Sequence, residues 1–210
     1  MQNLFELILG TGNAKKVVEL RDLLRDDPVR LKTLNEFPNA IDVEETGTTF
    51  EENAILKATC QARALSAWVL AEDSGLGVDA LAGRPGVYSA RFAGPGATDQ
   101  DNNDQLMREL KKVPLERRTA WYTCHACLSD PEGNVLISCQ SLCYGRIVAE
   151  PRGVAGFGYD PYFEVPEYHL TFAELGLAVK SVISHRARAM RIFLREFRIL
   201  MASLEESGRS

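Results

Sequence analysis

The sequence predicts an α/β protein built on a mixed β-sheet, and three stretches carry that prediction. Phe5–Leu9 is short and apolar, and Val17, Leu20 and Leu24 then repeat at helical spacing, so a strand passes into a helix. Trp68-Val69-Leu70-Ala71 reads as a buried strand behind a helix over Phe50 to Ser66, whose inner face is Phe50, Ala54, Ala58, Ala62 and Leu65. Strands at about 119–128 and 135–143 flank Asp130-Pro131-Glu132-Gly133-Asn134, which is strong turn chemistry for an antiparallel hairpin. Strand and helix alternate first and a hairpin comes later, as a mixed sheet in one domain of two lobes requires. That domain is expected over residues 1–205, with 206–210 as a disordered tail.

Two further helices complete the reading. One follows Thr98, a hydroxyl cap, and turns Leu106, Met107 and Leu110 inward. The last begins near Ser184 and carries Met190, Phe193, Phe197, Leu200, Met201 and Leu204 at amphipathic spacing. A length of 210 residues suffices for a substantial core, and no repeat, low-complexity tract or linker interrupts it. Charged residues make up 25% and the net charge is −5, which argues against a broad basic surface for nucleic acid. Met1 to Phe5 lacks a basic signal region, and no apolar run approaches the roughly 18 residues of a membrane span. A soluble, cytoplasmic protein with no membrane or nucleic-acid partner is therefore expected. The five cysteines are an odd number, which favours reduced thiols. Cys124 and Cys127 sit three apart on a strand and so face opposite ways, which suits small buried hydrophobes better than zinc ligands.

The residues able to do chemistry are confined to a few places. Thr11-Gly12-Asn13-Ala14-Lys15-Lys16 joins strand to helix, where unpaired backbone N–H groups, the helix dipole and two ammoniums attract phosphate. The same residues also suit an ordinary capped helix start, and the Walker spacing is absent. Glu72 and Asp73, expected just past the end of a buried strand, need a cation or hydrogen bonds to coexist there. Glu44-Glu45 supplies a second acidic pair, while Glu51 and Glu52 suit the helix dipole. Oxygen-only ligands of this kind point to Mg2+. Gly156-Phe157-Gly158-Tyr159-Asp160-Pro161 reads either as a base-stacking loop or as a tight turn with core aromatics. Lys180, Ser184, His185 and Arg186 gather cationic and polar groups at a helix start. There is no G-x-S-x-G elbow, and only three histidines are present. Acids for a metal, lysines for phosphates and an aromatic among polar groups describe a nucleotide hydrolase.

With these residues assembled, the chain resembles the inosine triphosphate pyrophosphatase family. The likeness runs from Leu7 to about Arg188, with ordered motifs at Thr11–Lys16, Glu44–Asn53, Asp73–Leu76, Gly83–Ala93, Gly156–Asp160 and Ser184–Arg186. It implies a long, curved mixed sheet with flanking helices, two lobes, a central nucleotide cleft, a homodimer and Mg2+ dependence. It also implies hydrolysis of ITP, dITP and XTP to the monophosphate and pyrophosphate. By the same resemblance Thr11 to Lys16 bind the triphosphate, and Asp73 is general base and metal ligand. Glu44 is the second metal acid, with Glu45 as the alternative. Ser74 and Lys180 contact substrate, Phe157, Gly158, Tyr159 and Asp160 form the base-stacking loop, and His185 and Arg186 read the purine. Two departures stand out: Glu72-Asp73 replaces the Asp-Asp usual in bacterial relatives, and Ala178-Val179 replaces an acidic pair, which leaves Lys180 without an expected charge partner. The competing readings are a pyrophosphatase for other modified nucleotides and a nucleotide-binding protein without turnover.

Overall fold

The computed structural model describes residues 4–207, and among them holds seven strands and five α-helices. In chain order these are β1 (Phe5–Leu9), α1 (Ala14–Leu23), β2 (Val29–Thr33), α2 (Phe50–Leu65), β3 (Val69–Val78), α3 (Asp99–Leu110), β4 (Thr119–Ser129), β5 (Val135–Ile147), β6 (Phe163–Val165), β7 (Leu170–Thr171), α4 (Phe172–Ile183) and α5 (His185–Ser207). All seven strands share one sheet, ordered β2-β1-β3-β4-β5-β6-β7. β1 runs parallel to β2 and β3, and β6 antiparallel to β5 and β7, so the sheet is mixed as the sequence predicts. α5 includes Glu206 and Ser207, the first residues of the expected tail, while 208–210 lie outside the described residues. Among the described residues no helix is long and apolar enough to cross a membrane.

The chain divides into two compact units. The first comprises residues up to Asp73, His125–Gln140 and Ala187 onward; the second comprises Ser74–Cys124 and Ser141–Arg186. In the first unit alternate side chains of the sheet serve different helices. Leu7, Leu9 and Leu70 pack with Leu20 of α1, with Leu24 at its C-cap and with Met190, Phe193 and Phe197 of α5. Ile8, Val69 and Ala71 face α2 instead, where Ala54, Ala58 and Ala62 form a small-residue stripe. Cys127 joins that alanine layer as a small apolar side chain. Each fully buried Leu or Phe here contributes roughly 1.5–3 kcal/mol relative to exposure.

The second unit has its own core. Leu76 and Val78 of β3 meet Leu106 and Leu110 of α3, with Tyr122, Phe163 and Phe172 completing an aromatic layer. Phe163 and Phe172 stack with centroids 5.1 Å apart.

One expectation needs correction. Glu72 and Asp73 do not lie beyond a strand end but inside β3, which continues through Ser74-Gly75-Leu76-Gly77-Val78. The two glycines resemble turn punctuation in the sequence, yet Gly77 is there for space. A Cβ at Gly77 would lie 2.5 Å from the Trp121 indole, so only a bare backbone lets that ring cover the strand. Three strands and one helix also lie outside the sequence reading. β6 and β7 span 3 and 2 residues, too short to reveal a period, and β2, as long as β1, has charged residues where β1 is an apolar run. In α4 the helical path breaks at Gly176 (φ 75°, ψ 174°), which splits its apolar repeat. Gly77→Ala should lower stability by about 1–3 kcal/mol through overpacking against Trp121, read as a reduced urea midpoint with unchanged slope.

Candidate active site

The first unit gathers acids and lysines around the middle of β3. Strand geometry sends consecutive side chains to opposite faces, so Glu72 and Asp73 point away from one another. Each is buried and each meets its own lysine from a different helix. Glu72 Oε1 lies 3.1 Å from Lys16 Nζ of α1, and Asp73 Oδ1 accepts a hydrogen bond of 2.9 Å from Lys57 Nζ of α2. Lys57 also donates to Glu45 Oε1 at 2.6 Å. The remaining Asp73 oxygen, Oδ2, accepts from Asn53 Nδ2 at 3.2 Å. Asn53 is itself fully buried, and its own oxygen receives the Gly47 amide at 2.8 Å, which ties the acidic segment before α2 to β3. Glu52, as the dipole reading of the sequence suggests, serves the helix start: it closes a capping box with Thr49.

Burial lifts the Asp73 carboxyl above the ordinary carboxylate range, against the pull of Lys57 and Lys16 and with help from Glu45. Burial alone would lower the Lys57 ammonium, but Asp73 and Glu45 hold it above its usual value, so it stays charged. The segment before α2 alternates in exposure, with Glu44 exposed and Glu45 half-buried. The structure therefore brings Glu45 onto the Lys57–Asp73 pair and leaves the Glu44 side chain in solvent.

The strand-to-helix loop is set by Gly10, where a Cβ would fall 2.8 Å from Val69 and 3.0 Å from Ala71. Thr11 to Lys15 follow at the surface. Asn13 caps α1, its Oδ1 accepting from the amides of Lys15 (3.0 Å) and Lys16 (3.2 Å), and its own amide donates to Thr11 Oγ1 at 3.2 Å. Two of the backbone donors expected to hold phosphate are thus claimed by the cap.

In the second unit Asp160 organises the glycine-rich loop. Its Oδ2 accepts from Lys180 Nζ at 2.6 Å and from the Phe157 amide at 2.8 Å. Both members of the ion pair are almost wholly buried, with 4% and 2% of their side chains exposed. This supplies the charge partner that the sequence left open for Lys180. A Cβ at Gly156 (φ 79°) would lie 2.0 Å from the same Asp160 oxygen, so glycine is required for this turn. Phe157 is half-buried, with Lys180 Nζ 4.5 Å and Arg186 Cζ 5.9 Å from its ring centre. Tyr159 is core: its hydroxyl donates to the Ser89 carbonyl at 2.8 Å, and burial pushes its phenol up. The Ser89 hydroxyl in turn accepts the Leu76 amide at 2.9 Å, which fastens the loop to β3. Gly158 donates its amide to Asp99 at 3.0 Å and receives Asn103 Nδ2 at 3.0 Å on its carbonyl. Arg186, 2% exposed, donates to Ser74 Oγ at 3.0 Å, and His185 stacks on Tyr122 with centroids 4.6 Å apart.

No group of three or more His, Cys, Asp or Glu side chains suited to a metal occurs among the described residues. A divalent ion nevertheless fits the donors present. Glu45 and Asp73 already converge on one cation, the Lys57 ammonium, and both offer hard oxygen. Mg2+ commonly takes one or two carboxylates and completes its shell with water and phosphate oxygens.

A protein-family comparison matches residues 7–196 to the model of the Ham1 family. The chain belongs to the Ham1 family. Among similar proteins, a dITP/XTP pyrophosphatase of Rhodopirellula baltica is 57% identical, covering 99% of this chain and 100% of the relative. A dITP/XTP pyrophosphatase of Bacillus cereus is 47% identical, covering 91% and 94%. The solved structure of a HAM1 protein from Coxiella burnetii matches with a TM-score of 0.84 at 38% identity, covering 94% of this chain and 99% of that one.

In this Ham1 chain the sequence reading passes over Lys57 and Asn53. Their signal is present: Asn53, Lys57 and Gln61 recur every four residues beside the buried Ala54–Ala58–Ala62 stripe, where a solvated helix face would not lie. Removing one member of the buried Lys180–Asp160 pair should cost about 3–5 kcal/mol, because it strands the other charge. Urea unfolding should therefore show Lys180→Met strongly destabilised, and Lys180→Met with Asp160→Asn less so than the single variant.

Proposed function

We propose that this protein hydrolyses the non-standard purine nucleoside triphosphates ITP, dITP and XTP to the monophosphate and pyrophosphate. The observation that carries the reading is likeness along the whole chain to proteins named dITP/XTP pyrophosphatase, 57% identical over 99% of it in one case. The chemistry of the two residue sets supports it. Thr11 to Lys16 take the triphosphate, with Lys15 and Lys16 supplying positive charge and the loop its remaining polar atoms. Asp73 orients a water and accepts its proton as the oxygen attacks the α-phosphorus, and the bond to the β-phosphate breaks. The Asp73 carboxylate is buried and held in orientation by Asn53, as a base that must meet one water requires. Glu45, in the role that the resemblance gives first to Glu44, would with Asp73 hold a divalent ion, for which we propose Mg2+ to stabilise charge on the phosphate oxygens.

The second unit supplies base recognition. Phe157 offers a ring face, and Arg186 and His185 donate to a 6-oxo group, which disfavours a 6-amino base. The Phe157 and Gly158 amides are engaged by Asp160 and Asp99, so reading falls to these side chains. Lys180 acts by holding Asp160, and Ser74 by holding Arg186. A homodimer acting in the cytoplasm belongs to the same reading and rests on the family likeness.

The deciding experiment measures pyrophosphate and phosphate release from ITP, XTP, GTP, ATP and dUTP with and without Mg2+. Pyrophosphate from ITP and XTP alone, and only with the metal, is the expected result; orthophosphate, or equal use of ATP and GTP, would refute it. Asp73→Asn preserves the side-chain shape but removes the base, so kcat should fall by about 10²–10⁴ while KM changes little. Steady-state kinetics on ITP would check this.

A further inference from the structure

Lys57 stands where its ammonium touches both acids of the candidate metal seat, 2.6 Å from Glu45 and 2.9 Å from Asp73. Its side chain is only 12% exposed, so it is no loosely held surface group. Carboxylates that converge on one point need a positive charge there, and an ammonium and a divalent ion on the same oxygens exclude one another. We propose that Lys57 is a placeholder cation: it fills the divalent seat while the protein is free of nucleotide, and leaves it when an anionic triphosphate arrives. The inference rests on the assignment of Glu45 and Asp73 as metal acids.

Three features support it. A lysine is a point charge on a flexible four-carbon stem, able to exchange carboxylate for phosphate without moving its helix. Asp73 Oδ2 is held independently by Asn53, so the carboxylate keeps its orientation when the ammonium departs. Asn53 also secures Gly47, two residues beyond Glu45, so the other half of the seat is anchored as well. Metal and triphosphate then bind cooperatively, each lowering the cost of the other, as linkage demands. The free protein keeps its acids neutralised and takes up little metal.

The test is a Mn2+ titration of nucleotide-free protein followed by electron paramagnetic resonance. Lys57→Met should bind Mn2+ at least about tenfold more tightly than the wild type, whereas Lys57→Arg, which keeps a cation, should stay weak. Equal affinity in wild type and Lys57→Met overturns the proposal. If wild-type protein still releases pyrophosphate from ITP, that result leaves the hydrolase reading intact and fails only the placeholder. A measurement on the wild type guards against a variant that does not fold. With 15N-labelled lysine, the protected Lys57 ammonium signal, assigned by its loss in Lys57→Arg, should persist with Mg2+ alone. It should move to a new chemical shift when Mg2+ and α,β-methylene-ITP are added together. An unmoved signal with both present overturns the proposal.

Discussion

Two acids at consecutive positions inside a sheet are tolerable only because a strand turns neighbours to opposite faces, and the first unit is arranged around that constraint. Glu72 and Asp73 would repel at close quarters in a low-dielectric interior. In β3 each instead enters a separate layer, one lined by α1 and the other by α2. Each layer must then contain a cation, and each helix provides one: Lys16 from the first turn of α1, Lys57 from the second turn of α2. Glycine 10 and the alanine stripe of α2 follow from the same need, since they let loop and helix approach the strand closely enough for a lysine to reach its carboxylate. Fold and chemistry are thus set by one alternation.

The second unit solves a different problem, holding an irregular loop still without regular hydrogen bonding. Asp160 does most of this, accepting from the Phe157 amide and from Lys180, which lies 20 residues further along the chain. The ion pair is buried enough for its desolvation to be costly, and its return is fixed geometry rather than raw stability. Tyr159, Ser89, Asp99 and Asn103 extend the restraint to β3 and α3. The half-buried ring of Phe157 is consequently presented on a rigid support, as the base recognition proposed for it requires.

Much of this was legible in the residue pattern, and the gaps have physical causes. The period-3.6 repeats of α1, α2, α3 and α5 and the turn at Asp130–Asn134 were long or distinctive enough to read. β6, β7 and the broken helix α4 were not, because each is shorter than, or interrupted within, the window over which a period can be seen. Asp73 stands out as a charge next to a buried strand, and Lys16, Asp160 and Arg186 as charges in a strand-to-helix turn, a glycine-rich loop and a helix start. The partners of those charges do not, since Lys57 with Asp73 and Lys180 with Asp160 are long-range pairings that only the folded chain brings together. Gly77 is opaque for a related reason: the demand it answers, the indole of Trp121, comes from β4, far along the sequence.

The charged groups of both units have protein partners before any nucleotide is present. Asn13 caps the amides of Lys15 and Lys16, Glu72 holds Lys16, Glu45 and Asp73 hold Lys57, and Asp160 holds Lys180. An unpaired buried charge costs several kcal/mol, a large fraction of the roughly 5–15 kcal/mol by which a domain is stable. A chain that left these groups waiting for substrate would be marginally folded without it. Binding by exchange of partners removes that burden: the ligand replaces contacts that already exist, and the free energy that separates one ligand from another is the difference between two satisfied states. Discrimination then depends on which groups can be re-satisfied. Under the proposed function a polyphosphate re-satisfies the lysines, whereas a base that cannot accept from Arg186 offers that guanidinium nothing in exchange for Ser74. Under that reading, folding without substrate and selectivity toward it have the same origin.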